Sequence, residues 1–395
     1  MKIILTSNTA WSLFNFRFGL IQQLLKKGFH VIIVAPQDEF SAKLQTMGCQ
    51  VIDLPMSAKG VNPLEDLLLI WRLYTLYRSL RPDFVIHYTI KPNIYGSIAA
   101  KLAGKQCISI TTGLGYTFVN DNWVAKTARC LYKLAFRSPN EVWFLNEDDR
   151  QIFLQHGLVD ANRAVLLHGE GVDMAHFAPR TKPVPDDKIR FLLIARMLWD
   201  KGVGEYVEAA RIVRQQYPNA VFQLLGACGV PNPSVIGREQ IAEWEQEGVV
   251  DYLGTTNDVR PIIAQADCVV LPSFYREGVP RTLMEAAAMA KPLITTDNVG
   301  CRDVVRNGET GLLCPVKDAQ ALADSCLKMM TMSAAQRNAM GQAGRQFMAD
   351  AFAEQKVIAQ YMVTLARYGV EIAPASQAIT DYTELPASRA PTHQG

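Results

Sequence analysis

Short, unbroken apolar runs alternate with helical patterns along most of the chain, and this alternation narrows the available folds more than any other feature. KIILTS, HVIIVAP, QVIDLP, DFVIHY, CISITT, EVWFLN and AVLLHG come first, separated by helical stretches at 18–27, 63–81, 93–103 and 123–136. Strands apolar at every position are buried on both faces, and parallel strands need the crossovers that intervening helices supply. The pattern therefore predicts an α/β fold with a doubly wound parallel sheet. It lapses at 173–188, where Pro179, Pro183 and Pro185 accompany a charge cluster and read as a linker. It then resumes with IRFLLIAR, AVFQLLG, VVDYLG, DCVVLP, PLITT and GLLCP.

A chain of 395 residues exceeds one ordinary core, so two domains are expected. They are assigned to 1–172 and 189–350, with a C-terminal helix at 351–370 expected to pack back on the first domain. The tail at 371–395 is rich in Pro, Ala, Ser and Thr, lacks a hydrophobic period and is expected to be disordered. Paired sheets of this kind are expected to bind ligands at the carboxyl ends of their strands, in a cleft between the domains.

The net charge of +2 conceals an asymmetry: residues 57–137 hold 11 Lys and Arg against 4 Asp and Glu. Such a balance suits either an anionic partner or a solvated basic face. The eight cysteines are scattered, without Cys-x-x-Cys or a Cys/His cluster, which points to reduced, mostly buried thiols and away from structural zinc. Thr6, Ser7, Asn8 and Thr9 interrupt the N-terminal apolar run, so a buried strand fits better than a signal peptide. No segment reads as membrane-spanning.

The second domain carries the sharper motifs. Arg196 ends the strand FLLIAR and Lys201 follows it across a strand-to-helix turn. A planar fork and a point charge placed so can converge on one diphosphate, although such pairs are also common on surfaces. Further on, SFYREGVPRTLMEAAAMAKPLITTD places Glu277 and Glu285 eight positions apart. Glu277 falls in the loop after a buried strand, and Pro280 suits the first position of the following helix. The amides near Gly278 and Val279 at that helix start form a candidate anion site. Glu277 is then placed to accept hydrogen bonds from a sugar, and Glu285 to reach vicinal hydroxyls such as those of a ribose. Two other readings stand beside this pocket for a sugar–diphosphate–nucleoside. The glutamates could be ordinary loop and helix charges, or an acid–base pair flanking a glycosidic bond. The adjoining anion cradle disfavours the latter. No Asp-x-Asp occurs, and NEDDRQ at 146–151 reads as a capped helix start, so a metal-dependent transferase is disfavoured as well.

Glu277 and Glu285 match the Glu-x7-Glu signature of the family-4 retaining glycosyltransferases, and the chain over 1 to about 370 resembles that family. IARMLWDKGVGEY, LLG, YLG, LPSFYREGVPRTLMEAAAMAKPLITTD and GCRDVV are most similar to one bacterial branch. Its members add α-linked N-acetylgalactosamine or related sugars to undecaprenyl-diphosphate-linked saccharides. The resemblance implies a GT-B fold, with the acceptor on the first domain and the nucleotide sugar on the second. It also implies that Arg196 and Lys201 hold the donor diphosphate, that Glu277 meets the donor sugar and that Glu285 meets the ribose. A UDP-sugar donor and retention follow from the same source, and because the sequence offers no convincing nucleophile, front-face attack is expected. No cofactor, metal or nucleic-acid partner is expected.

In the first domain the acceptor-side candidates are Asn15 and Arg17 in the loop SNTAWSLFNFR, His87 and Lys91 in HYTIKPN, and Gly113 and Gly115 in TTGLGYTF. Many relatives carry His-x-His after the fourth strand, where this chain has His87 and Thr89, so His87 is either an acceptor-side group or a satisfied structural residue. Lys126, Arg129, Lys133 and Arg137 form one helical stripe. That stripe suits either an ordinary surface helix or a helix lying on anionic lipid, at the cytoplasmic leaflet of the inner membrane. The reading reached is a metal-independent retaining transferase in lipopolysaccharide, O-antigen or related polysaccharide assembly. The alternatives are a UDP-sugar epimerase of the same fold and a catalytically silent sugar-nucleotide-binding protein. A periplasmic sugar-binding protein fits poorly without a signal peptide.

Overall fold

The computed structural model describes residues 1–56, 62–113, 123–181, 186–230 and 232–370. It divides into two units: Met1–Gly169 with the helix from Gln355 onward, and Glu170–Glu354.

The first unit is built on β1 (Lys2–Thr6), β2 (His30–Ala35), β3 (Gln50–Asp53), β4 (Phe84–Tyr88), β5 (Cys107–Thr111), β6 (Glu141–Phe144) and β7 (Ala164–Leu166). Their order in the sheet is β3-β2-β1-β4-β5-β6-β7, with every pairing parallel. The order reverses between β1 and β4, so loops diverge there at the carboxyl edge. Every residue of β4, β5 and β6 is buried, as their continuous apolar runs require.

The helices are α1 (Ala10–Lys26), α2 (Glu39–Thr46), α3 (Pro63–Leu80), α4 (Ser97–Leu102), α5 (Trp123–Ala135) and α6 (Glu147–Gln155). One face of the sheet is covered by α3 through Leu69, Leu73 and Tyr77, by α4 through Ala99 and Ala100, and by α5 through Tyr132 and Ala135. These meet Ile4, Ile32, Val85, Val142 and Phe144 in a single buried cluster. The start of α6 is capped by the Asn146 side chain, which accepts from the Asp149 amide at 2.8 Å, as NEDDRQ suggests.

Two helical boundaries differ from the sequence expectation. The first helix begins at Ala10 rather than near residue 18, because Thr9 accepts from the Ser12 amide at 3.2 Å and caps it. Asn15 and Arg17 consequently lie within a helix rather than in a loop. The helix expected over 93–103 starts earlier, running without a break from a π-helical turn, Pro92–Gly96, into α4 and ending at Leu102.

The second unit comprises β8 (Ile189–Ile194), β9 (Ala220–Leu225), β10 (Asp251–Tyr252), β11 (Cys268–Leu271), β12 (Leu293–Thr296) and β13 (Gly311–Cys314). Their order is β10-β9-β8-β11-β12-β13, again all parallel. Its helices are α7 (Val203–Gln216), α8 (Arg238–Gln246), α9 (Arg260–Gln265), α10 (Arg281–Ala288), α11 (Ala319–Thr331) and α12 (Ala334–Phe347). The two sheets are Rossmann-like and establish the α/β class.

The stretch read as linker from residue 173 is in part built into this unit. Phe177 is buried, and Arg345 donates to the carbonyls of Phe177 and Met174, each at 3.2 Å, and to that of Ala288. Val172 pairs with Ala353, its amide donating to the Phe352 carbonyl at 2.8 Å. Residues 182–185, like the 371–395 tail, lie outside the described residues.

The last helix, α13 (Glu354–Arg367), belongs to the first unit from Gln355 onward. Glu141 on β6 anchors it. Its carboxylate accepts from Arg367 at 2.5 Å, from the Tyr368 hydroxyl at 3.1 Å and from the Trp143 indole at 2.7 Å.

Candidate active site

The second unit brings the strongest motifs together at the carboxyl ends of two paired strands. β8 and β11 are neighbours in register, Cys268 opposite Phe191 and Val269 opposite Leu192, so Arg196 and Ser273 leave the sheet side by side. After Arg196 the chain makes a short 3-10 turn, Trp199–Lys201, and enters α7 through Gly202 at φ 75°. A Cβ on Gly202 would lie 2.1 Å from the Pro272 carbonyl oxygen, so only glycine lets the two crossings approach this closely.

That approach delivers Lys201 to Glu277. The Lys201 ammonium and the Glu277 carboxylate are 2.5 Å apart, and both side chains are largely withdrawn from solvent. Ser273, fully buried, donates to the same Glu277 oxygen at 2.8 Å. The loop is pinned further: the Phe274 and Tyr275 amides both donate to the Asp200 carbonyl at 3.0 Å. On the other side the Asn298 side-chain Nδ2 donates to the carbonyls of Ser273 (3.2 Å) and Tyr275 (2.8 Å). Gly300, at φ 75°, leaves room for the Glu277 and Gly278 backbone, which an added Cβ would meet at 2.8 and 2.5 Å. Glu277 is therefore held by its neighbours rather than hanging from a mobile loop.

The charges act on one another. Burial, then the Glu277 carboxylate, raises the Tyr275 hydroxyl above the phenol range, while Arg196 opposes them. The Cys301 thiol is pushed up to about 12 by burial first and Glu277 next, with Lys201 opposing. Arg196 thus acts on the same cluster. It is half-buried and forms no ion pair among the described residues, which leaves its guanidinium available to an anion.

α10 begins one residue later than the sequence suggests. Pro280 occupies the capping position with an extended backbone and supplies no side-chain cap. Val279 is buried and Gly278 half-buried just before this start. Glu285, with no exposure, receives Arg281 at 2.8 Å one turn earlier on the same helix. Ser273, Arg281 and Asn298 were missed by sequence reasoning. Arg281 had a readable signal in its four-residue spacing from Glu285. Ser273 and Asn298 had none, since their partners depend on strand order.

The first unit's candidates do not form one group. His87 is wholly buried on β4; its Nε2 meets the Tyr77 hydroxyl at 3.1 Å, and Gly96 closes over the ring so tightly that a Cβ there would lie 2.6 Å away. Burial pushes the imidazole down to about 3. His87 is therefore enclosed by the first unit's own groups, which favours the structural one of the two readings left open by the sequence. Lys91 is engaged by Asp66 at 3.0 Å, both largely buried. Asn15 is buried in α1, donating to the Trp11 carbonyl at 3.0 Å. Arg17, also buried, lies over the Tyr88 ring at 4.5 Å. Gly113 follows β5 at φ 121°, and Gly115 lies outside the described residues. One residue at this edge attracts notice that the sequence could not give it: Thr89, β-branched, adopts φ 67° directly after β4, its hydroxyl accepting from the Asn8 amide at 3.3 Å. Such a conformation in a β-branched residue is costly and concentrates at functional edges. Among the described residues no group of three His, Cys, Asp or Glu side chains could hold a metal ion.

Two Rossmann-like parallel sheets, with cations, carboxylates and a helix start gathered at the strand ends of the second, are the architecture of the GT-B fold, and the glycosyltransferases of that fold are what the chain matches. Residues 176–347 match the family described as glycosyl transferases group 1, and residues 2–146 match glycosyl transferase 4-like. The chain is 30% identical over 340 residues to the N,N'-diacetylbacillosaminyl-diphospho-undecaprenol alpha-1,3-N-acetylgalactosaminyltransferase of Campylobacter jejuni, covering 82% of this chain and 88% of that one. It is 25% identical over 291 residues to an Escherichia coli UDP-Gal:alpha-D-GlcNAc-diphosphoundecaprenol alpha-1,3-galactosyltransferase, 70% of this chain and 73% of the other. Among solved structures, a Rickettsia africae glycosyltransferase superposes with TM-score 0.77 at 18% identity, over 93% of this chain and 98% of that one. Anabaena HepE in complex with UDP does so with TM-score 0.74 at 18% identity, over 93% and 100%. The chain belongs to the family-4, group 1 glycosyltransferases.

Proposed function

We propose that this glycosyltransferase moves a hexose or N-acetylhexosamine, with N-acetylgalactosamine the first to test, from a UDP-sugar to an undecaprenyl-diphosphate-linked saccharide. The relatives' names support the donor and acceptor classes, since one contains UDP-galactose and both contain diphospho-undecaprenol acceptors. The observation that carries the reading is the Lys201–Glu277 pair at the carboxyl ends of β8 and β11, 2.5 Å apart and braced by Ser273.

In this proposal Arg196, Lys201 and the amides around Gly278 and Val279 take the diphosphate. Their charges stabilise UDP as it departs, which is where most of the acceleration would arise. A diphosphate at Lys201 competes with Glu277 for the ammonium, so donor binding frees the carboxylate to accept from the sugar's hydroxyls. Glu285 on α10 takes the ribose. With Glu277 engaged by the sugar's hydroxyls rather than its anomeric carbon, the acceptor hydroxyl attacks from the leaving-group face and passes its proton to the departing phosphate, with retention. No metal is needed, because Arg196, Lys201 and the helix start supply the positive charge. The enzyme works peripherally at the cytoplasmic leaflet, where its lipid-linked acceptor resides.

The test is UDP release from a panel of UDP-sugars against undecaprenyl-diphosphate-linked saccharides, with the product anomer read by NMR. Release that depends on acceptor and gives an α-linkage is expected, falling about 10²–10³-fold in Lys201→Ala and Glu277→Ala while the fold is kept. Near-wild-type turnover in either variant would overturn the assignment, and donor consumption without acceptor would mark an epimerase.

A further inference from the structure

The outer side of α3 is apolar where a surface helix should be polar. Leu64, Leu67, Leu68 and Trp71 follow one another at helical spacing, with exposures of 78, 63, 45 and 61%. They are one stripe of α3, and they are not the stripe that holds it to the protein: Leu69, Leu73 and Tyr77 do that from the opposite side. Two more large apolar side chains stand out on the helices sharing this face of the sheet, Leu102 (61%) at the end of α4 and Leu134 (57%) on α5. Contiguous exposed apolar surface of this kind marks an interaction site rather than ordinary scatter.

Charge identifies the occupant. On α3, α4 and α5 the cations are Arg72, Arg78, Lys101, Lys126, Arg129 and Lys133. Against them stand only Glu65 and Asp66, and Asp66 is buried and engaged by Lys91. An apolar stripe containing Trp, bordered by Lys and Arg and nearly free of acidic groups, has the composition of a helix lying in a bilayer interface. No helix of the described residues is long and apolar enough to span a bilayer, so the contact would be with its surface.

We propose that this face docks on an anionic lipid bilayer, with Leu64, Leu67, Leu68 and Trp71 seated among the headgroups and upper acyl chains. The cations of α4 and α5 meet the lipid phosphates. The proposal rests on the peripheral location given above and names the element responsible: apolar insertion by α3 holds the protein, and the basic stripe of α5 orients it.

Flotation of the full-length protein with phosphatidylethanolamine/phosphatidylglycerol vesicles, in low salt and in 0.5 M NaCl (about a 4 Å screening length), tests it. Wild type is expected to stay largely vesicle-bound in high salt. Leu67→Gln/Trp71→Gln should lower partitioning at least tenfold at both salt concentrations, with an unchanged melting temperature because both residues are exposed. Lys126→Glu/Lys133→Glu should lose binding at low salt and little at high salt. Unchanged flotation of Leu67→Gln/Trp71→Gln, with loss only on charge reversal, overturns the role of α3 but leaves the peripheral location standing. No binding by wild type to any vesicle overturns both. A wild-type dimer in sedimentation that Leu67→Gln/Trp71→Gln converts to monomer assigns the stripe to a second copy and overturns the proposal.

Discussion

His87 shows what burial does to a residue that spacing alone made attractive. Its imidazole sits in a buried polar chain in which the Tyr77 hydroxyl meets its Nε2 at 3.1 Å and the Thr6 hydroxyl at 3.5 Å. In the fold it titrates near 3, below its ordinary value of 6.5, because the charged form has lost its water. A proton therefore binds the unfolded chain more readily than the folded one. The contribution is intact above pH 6.5 and is lost as pH falls from there towards 3, by about 1.4 kcal/mol per pH unit. Denaturant titrations should show wild type losing about 2 kcal/mol more than His87→Gln between pH 6.5 and 5. Parallel pH profiles would rule out a buried neutral imidazole. At this scale local strand–loop–helix order was enough to place Lys201 after β8, Glu277 after β11 and Glu285 on the helix that follows, which is where they lie. It left His87 open between two readings, because the residue before or after a strand end can face inward or outward without changing the pattern.

Among the elements, α13 depends most on a single group. Glu141, nearly inaccessible on β6, receives Arg367, Tyr368 and the Trp143 indole. Glu141→Ala leaves the indole N–H buried without its acceptor and the α13 end without its anchor, at a cost of about 2–4 kcal/mol. Glu141→Gln, which keeps an acceptor oxygen for the indole, should cost less. Amide exchange in α13 would report the difference, and protection unchanged in Glu141→Ala would show that apolar packing alone holds the helix. The strands were legible because continuous apolar runs suit nothing but a doubly buried sheet. The start of α1 was not: the polar residues before it look like a loop, and only the Thr9 cap shows where the helix begins. The residues around Phe177 looked like a linker for a similar reason, since Arg345, which fixes them, is 168 positions away.

Across the whole molecule the thiols give a simple measure of how completely both units close. All eight cysteines are free, six of them buried, with Cys130 exposed and Cys228 intermediate. Burial raises Cys49, Cys107 and Cys301 to about 12 and Cys314 to about 11, so these are neither accessible nor ionised near neutrality. Titration of the native protein with a thiol reagent at pH 8 should give rapid reaction of Cys130 and Cys228 alone, with the other six appearing only in denaturant. Five or more fast thiols would show that one unit opens readily. Scattered cysteines without a metal-ligand spacing predicted buried, reduced thiols, and here composition sufficed.

By itself the sequence determined the two parallel sheets and the local geometry of the Glu277–Glu285 segment. A strand buried on both faces must be apolar throughout, and the offset of residues along one loop and helix is set by backbone geometry. Only the tertiary structure decided that Lys201 reaches Glu277 from 76 positions away, that Arg345 fixes the residues around Phe177 and that the outer stripe of α3 is left uncovered. Those outcomes depend on which strands lie side by side and which helix covers which face, and a periodic pattern is the same for every such arrangement.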